Sequence, residues 1–257
     1  MFLIQRTSLA DISLMNAMLE KVDVLAIGVH PDDVELSCSG TLIKYISEGK
    51  KVGLCDLTQG ELGTRGSAEL RLQEAEASRK IIGASFRINL GMADGFFQND
   101  ETNQRKIIEV IRACKPEIVL CNALDDRHPD HPRSAQMEKV ACFLSGLRRI
   151  ETTWKGQAQE AWRPKKVFHY IQDYWMEPSF IVDITAQWEQ KMESIMAFSS
   201  QFYDPNSKEP MSPIASKEFM EGLKGRHLQM GRLINGVYGE GFISEKAVKI
   251  NSLSDVL

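Results

Sequence analysis

Several things are missing from this 257-residue chain, and each absence narrows what it does. No apolar run approaches a bilayer's thickness; even Val22–Val29 is broken by Asp23, which argues against a membrane span. There is no cationic surplus: the net charge is -4, so nothing electrostatic favours a nucleic-acid partner. No Cys-x-x-Cys pair occurs. The five cysteines (Cys38, Cys55, Cys114, Cys121, Cys142) are odd in number and suit reduced thiols in a cytoplasm better than a disulfide framework. Internal repeats and low-complexity segments are absent, and 43% apolar with 26% charged residues excludes disordered and fibrous classes. The turn after the first apolar run also lacks the glycines that a dinucleotide pyrophosphate needs. His30, Pro31 and two aspartates stand there instead, bulky and anionic.

What is present in the first 145 residues is an alternation of apolar runs and helical patterns. The spacing predicts strands over 22–29, 51–57, 87–90 and 117–121. Helices are predicted over 36–48, 68–82, 104–114 and 132–146, with Gly49 and Gly83 as C-terminal stops. Such alternation implies an α/β fold, a parallel sheet in one domain with helices on both faces. In open sheets of this kind, ligands sit beyond the carboxyl ends of the strands where strand order reverses, which would make strands one and four neighbours. The last third reads as an α/β extension: strands over 166–171 and 180–184, helices over 186–198 and 216–234, and a glycine-spotted tail. Residues 154–163 read as a crossover. Residues 1–21 read as an amphipathic extension outside the domain at 22–257, or as an upstream start with Met15 or Met18 the true beginning. Gln5 and Arg6 end the apolar start too soon for a secretory signal.

Two short motifs about a hundred residues apart carry the chemistry: His30-Pro31-Asp32-Asp33-Val34-Glu35 and His128-Pro129-Asp130-His131. Each follows a predicted buried strand, and each sets metal-ligand side chains beside a rigid proline. Two of only five histidines fall within four residues, a clustering that structural histidines rarely show. Two histidines and a carboxylate hold a catalytic zinc or ferrous ion with positions left open. The division of labour read from the residues places His30, Asp33 and His131 on the metal. Asp32 is the general base toward the attacking water and then hands its proton to the leaving amine. His128, most usefully as imidazolium, steadies the oxyanion. Glu35 supports the loop by hydrogen bonds, and Asp130 orients one of the histidines.

Other residues fall on the same rim. Arg65, after Gly60-Glu61-Leu62-Gly63-Thr64, is a candidate for substrate hydroxyls or a carboxylate. Asp94 follows the third strand and is a candidate for two sugar hydroxyls. Arg127 is either an anion contact or a salt-bridge partner of Asp126. His169, His227 and Cys38 read as structural, and Met192, Met196 and Phe198 have ordinary core spacing.

At these motifs the chain resembles the LmbE-like (PIG-L) deacetylases, whose signature is His-Pro-Asp-Asp-x-Glu followed by His-Pro-Asp-His. The resemblance implies a Rossmann-like fold, a divalent metal and removal of N-acetyl groups from glucosamine-containing compounds. It also implies the same roles for His30, Asp33, His131, Asp32 and His128, with Arg65 and Asp94 near sugar hydroxyls. A narrower resemblance runs through Pro178–Thr185, Lys191–Glu193, Ser199–Tyr203 and Tyr238–Phe242. It points to the bacillithiol-pathway branch, which deacetylates N-acetyl-glucosaminyl-malate and forms homo-oligomers. Arg65 and Arg127 are then partners for the malate carboxylates. The expected cofactor is one divalent ion per subunit, zinc first and ferrous iron second. The alternatives are another N-acetylglucosaminide or a thiol-conjugate amide as substrate.

Overall fold

The computed structural model describes residues 19–252. The extension expected over residues 1–21 lies outside the described residues apart from its last three. The chain runs β1 (Val24–Gly28), α1 (Asp33–Ser47), β2 (Val52–Thr58), α2 (Ala68–Ile82), β3 (Phe86–Met92), α3 (Glu101–Cys114), β4 (Ile118–Cys121) and α4 (Asp130–Leu144). It continues with β5 (Thr153–Trp154), β6 (Gln157–Ala158), β7 (Lys166–Tyr170), β8 (Phe180–Asp183), α5 (Trp188–Met196), α6 (Lys217–Leu233) and β9 (Gly239–Ile243). No helix among the described residues is long and apolar enough to cross a membrane.

Seven strands form one sheet in the order β3-β2-β1-β4-β7-β9-β8. The first five are parallel, and β9 runs antiparallel to both β7 and β8. β1 reads as a continuous apolar run because both its faces are covered. Leu25 and Ile27 point into a cluster with Ile107, Ile111, Met137 and Ala141 of α3 and α4. Val24 and Ala26 face Val34, Cys38 and Leu42 of α1 on the other side. Burying each such Leu or Ile contributes about 1.5–3 kcal/mol. Farther out, Ala75 of α2, Ile195 of α5 and Leu223 of α6 join Phe198 and Phe202 in a third cluster.

Strand order reverses between β1 and β4, which are hydrogen-bonded neighbours with Val24 opposite Ile118. The two motif turns therefore leave adjacent strand ends, as the sequence order implies. Helix starts differ from expectation. α1 begins at Asp33 and α4 at Asp130, where acidic side chains meet the positive helix end. α3 begins at Glu101 because the Asp100 carboxylate accepts the Asn103 N–H at 2.9 Å. The crossover at 154–163 holds a small β5–β6 hairpin, turned through Lys155 and Gly156, both at positive φ. The glycine-spotted tail forms β9, a full sheet member.

Candidate active site

Both motif turns close in the same way: the Asp33 N–H donates to His30 O at 3.2 Å, and the His131 N–H to His128 O at 3.1 Å. Each turn thereby aims residues three apart at the same point. His30 Nδ1 lies 3.7 Å from Asp33 Oδ2, and His131 Nε2 lies 3.2 Å from Asp33 Oδ1. The opposite ring nitrogens meet carboxylates as well. His30 Nε2 donates to Asp94 Oδ1 at 2.9 Å, with Asp130 Oδ2 at 3.7 Å, and His131 Nδ1 donates to Asp126 Oδ2. An ionised carboxylate only accepts, so each ring carries hydrogen on that outer side and turns its other nitrogen toward Asp33.

Burial alone would lower the His30 pKa, but Asp130, Asp94 and Asp33 together raise it to about 10. Burial is likewise outweighed at His131, where Asp33 and Asp126 raise the pKa to about 9. Asp33 resists ionisation through burial, yet His131 and His30 hold it well below the usual carboxylate range. Cation-poor conditions thus leave two protonated rings around one carboxylate. A His/Asp group here could hold a divalent ion: donor atoms of His30, His128 and His131 lie within 4.8 Å of one another, as do those of His30, Asp94 and Asp130. Asp33 meets the two rings through different oxygens, Oδ2 toward His30 and Oδ1 toward His131, and outer carboxylates on both rings are the usual accompaniment of metal-bound histidine.

Asp32 lines the same cavity. Its backbone sits at φ 129°, ψ -21°, a region that costs a non-glycine residue about 1–3 kcal/mol. Burial raises its pKa to about 6, against the pull of Arg71, whose Nη2 donates to Asp32 Oδ2 at 2.9 Å. His128 packs 4.7 Å from the His30 ring and 5.1 Å from the His131 ring, centroid to centroid. Its Nδ1 accepts the Asp130 N–H at 3.3 Å, which leaves Nε2 to carry the hydrogen. Burial and the two neighbouring rings lower its pKa. His128 therefore presents Nε2 as its free donor.

The outer residues are redistributed. Arg65 does not line the cavity; it is buried, donating to Phe202 O at 3.2 Å and to Ser207 Oγ. Arg71, one helical turn into α2, lines the cavity and donates to Asp32, Pro31 O and Gly60 O. Asp94 faces the cavity, but it accepts from His30 and, through Oδ2, from the Leu62 N–H at 3.0 Å. Both of its oxygens are thus engaged within the protein. Arg127 pairs with Asp173 at 3.3 Å, because Asp126 is taken by His131. Glu35 accepts from Ser78 at 2.7 Å and from Arg87 at 2.5 Å, so it ties α1 to α2 and β3 instead of bracing the loop. Asp130 sits behind His30, accepting from the Gly95 N–H and Arg133. His169 and His227 lie outside the cavity, each holding a backbone carbonyl at 2.8 Å, and Cys38 is core.

Residues 25–142, which contain both motifs, match the family model for PIG-L, the GlcNAc-PI de-N-acetylases. Over 138 residues the chain is 31% identical to the uncharacterized deacetylase YaiS of Escherichia coli (strain K12), covering 51% of this chain and 74% of that protein. The chain belongs to the PIG-L family. A diacetylchitobiose deacetylase of Thermococcus kodakarensis is 28% identical over 189 residues, 70% of either chain. The crystal structure of a conserved protein from Thermus thermophilus superposes with a TM-score of 0.80 at 31% identity, covering 90% of this chain and 98% of that one.

In this PIG-L protein the motifs open into a cavity of about 330 Å³. Its charged lining comprises the motifs with Arg71, Arg127, Asp173 and Arg226. Its apolar lining is Leu36, Pro213, Ile214, Phe219 and Leu223. Four residues unassigned from sequence matter here: Arg71, Asp126, Asn122 and Gln172. Asn122 and Gln172 carry a signal that the strand-end rule would have found, since both stand just past the carboxyl ends of parallel strands.

Proposed function

We propose that this protein is a metal-dependent N-deacetylase of N-acetylglucosaminides, acting on N-acetyl-glucosaminyl-malate. The observation that carries the reading is the convergence of His30 Nδ1 and His131 Nε2 on Asp33, with Asp32 and His128 at its side. These three residues would hold a divalent ion, zinc or ferrous iron. When bound, such an ion polarises the amide carbonyl and lowers the pKa of water toward neutrality.

The remaining steps belong to side chains. Asp32, with its pKa near 6, is mostly ionised at pH 7 and accepts a proton from the attacking water. It then delivers that proton to the departing amine, which a carboxyl of ordinary pKa does less readily. The Nε2–H of His128 donates to the oxyanion of the tetrahedral intermediate. Arg71 keeps the Asp32 carboxylate turned toward the cavity, and Asp94 and Asp126 keep the two rings turned toward Asp33. The malate assignment is supported by the sequence resemblance and by Arg127, a rim guanidinium that pairs with Asp173 at 3.3 Å and stays more than a third exposed.

The test is release of free amine from N-acetyl-glucosaminyl-malate and from N-acetylglucosamine, by metal-loaded protein, chelated protein and Asp32→Ala. Metal-dependent turnover that favours the malate conjugate and collapses in the variant supports the reading. Equal turnover of both substrates removes malate from it. A second reading, an amidase for thiol conjugates, is favoured by the apolar residues Leu36, Pro213, Ile214, Phe219 and Leu223 in the cavity lining. Faster cleavage of an S-aryl cysteinyl-glucosamine amide than of the acetyl amide would establish it.

A further inference from the structure

Each carboxylate oxygen of Asp33 receives a side-chain amide as well as facing a histidine. Gln172 Nε2 donates to Oδ1 at 3.1 Å, and Asn122 Nδ2 donates to Oδ2 at 3.2 Å. The two amides interlock: Gln172 Oε1 accepts from Asn122 Nδ2 and from the Ala123 N–H, both at 3.1 Å. All three side chains are buried. The loop that carries Gln172 also secures the second histidine. The N–H groups of Asp173 and Tyr174 each donate to Asp126 Oδ1 at 2.9 Å, and the other oxygen of Asp126 holds His131. From outside, Arg226 of α6 grips the same loop through the carbonyl oxygens of Gln172 and Asp173.

We propose that Gln172 is a positioning residue that fixes Asp33 opposite His131 and thereby sets the affinity of the site for its ion. A carboxylate on a short side chain turns freely about its last bond. Donors on both oxygens hold one orientation, so ordering is not charged against ion binding. Because the loop also backs Asp126, one three-residue segment keeps Asp33 and His131 in register. This inference rests on the metal-site reading above.

The test uses the full chain stripped with chelator, with Zn2+ and Co2+ affinities measured by competition against a chromophoric chelator. Gln172→Met keeps side-chain volume and removes every hydrogen bond. Gln172→Glu keeps the length and the acceptor for Asn122 and Ala123 but loses the donor to Asp33. Both variants are expected to bind Zn2+ about 10–100-fold more weakly and to shift the Co2+ absorption bands, with the melting temperature of the metal-free Gln172→Glu chain near wild type. Should Gln172→Met fail to fold, Gln172→Glu decides. Wild-type affinity in a folded variant overturns the inference, and so does tighter binding by Gln172→Glu, which would show that added charge matters and orientation does not. A wild-type chain that takes up no ion overturns the metal site and this inference with it, whereas one ion bound equally by all three chains overturns the inference alone.

Discussion

At His30–Asp33 the chain bends through Asp32 at φ 129°, whereas the matching bend at His128–His131 runs through Pro129 at φ -63°, ψ -22°, ordinary helical angles. The first turn carries the proposed base, and Arg71 clamps it from α2. Its Nη2 donates to both Pro31 O and Asp32 Oδ2, and its Nη1 to Gly60 O at 3.1 Å. The second turn carries the proposed oxyanion donor; Arg133 and the Gly95 N–H hold its Asp130, and Asp126 backs its distal histidine. Of the two turns, only the one with the proposed base has a residue at positive φ, and a buried cation holds it there. Gly60 shows how close that clamp is. A Cβ added at its φ of +63° would stand 2.0 Å from Arg71 Nη1.

The comparison breaks most visibly at the base. Asp32→Ala is expected to lower kcat by about 10³-fold, read by amine release. His128→Ala, on the relaxed turn, is expected to cost about 10²–10³-fold in kcat with little change in ion affinity. Unclamping the strained turn with Arg71→Ala is expected to cost about 10²-fold in kcat through misplacement of Asp32, while the chain still binds its ion. A comparable loss of ion affinity in Arg71→Ala would show that both turns depend on the clamp. On the relaxed side, Asp126→Asn is expected to weaken Zn2+ binding about 10–100-fold by competition titration.

The smallest expected effect is a pH dependence behind the second turn. Glu138 of α4 is buried, with Oε2 accepting the Asn122 N–H at 2.9 Å, and burial raises its pKa to about 8. The folded chain therefore keeps a proton that the unfolded chain releases near pH 4.5. Between those values stability falls as pH rises, by at most about 1.4 kcal/mol per unit. Urea unfolding at pH 6 and pH 9 is expected to show that fall in wild type and a flatter profile in Glu138→Gln.

Much of the site was legible because it obeys local rules. The two histidine–proline turns announce themselves by residue type, and alternating strands and helices place them at neighbouring strand ends. Gly28 belongs to that local logic too, since a Cβ there would meet the Asp33 Cβ at 3.1 Å as α1 starts beside β1. What escaped depends on distant partners. Arg71 sits in a helix whose pattern explains itself without function, and its role appears only when Gly60 and Pro31 come beside it. Arg65 has the better loop position, yet Phe202 and Ser207 draw it inward. Asn122 and Gln172 have a strand-end position that could have flagged them, but what they hold appears only once Asp33 lies between them. β9 was hidden by its glycines, of which Gly239 leaves room for the Gly231 backbone nitrogen, 2.9 Å from where a Cβ would sit.

We propose that two adjacent aspartates do different work, Asp33 holding the ion and Asp32 moving the proton. The most direct measurement is Zn2+ affinity and amine release in parallel for Asp32→Asn and Asp33→Asn. Asp32→Asn is expected to bind one ion per chain at near wild-type affinity with turnover nearly abolished, while Asp33→Asn loses the ion itself. Loss of the ion in Asp32→Asn, or retained tight binding in Asp33→Asn, would contradict it.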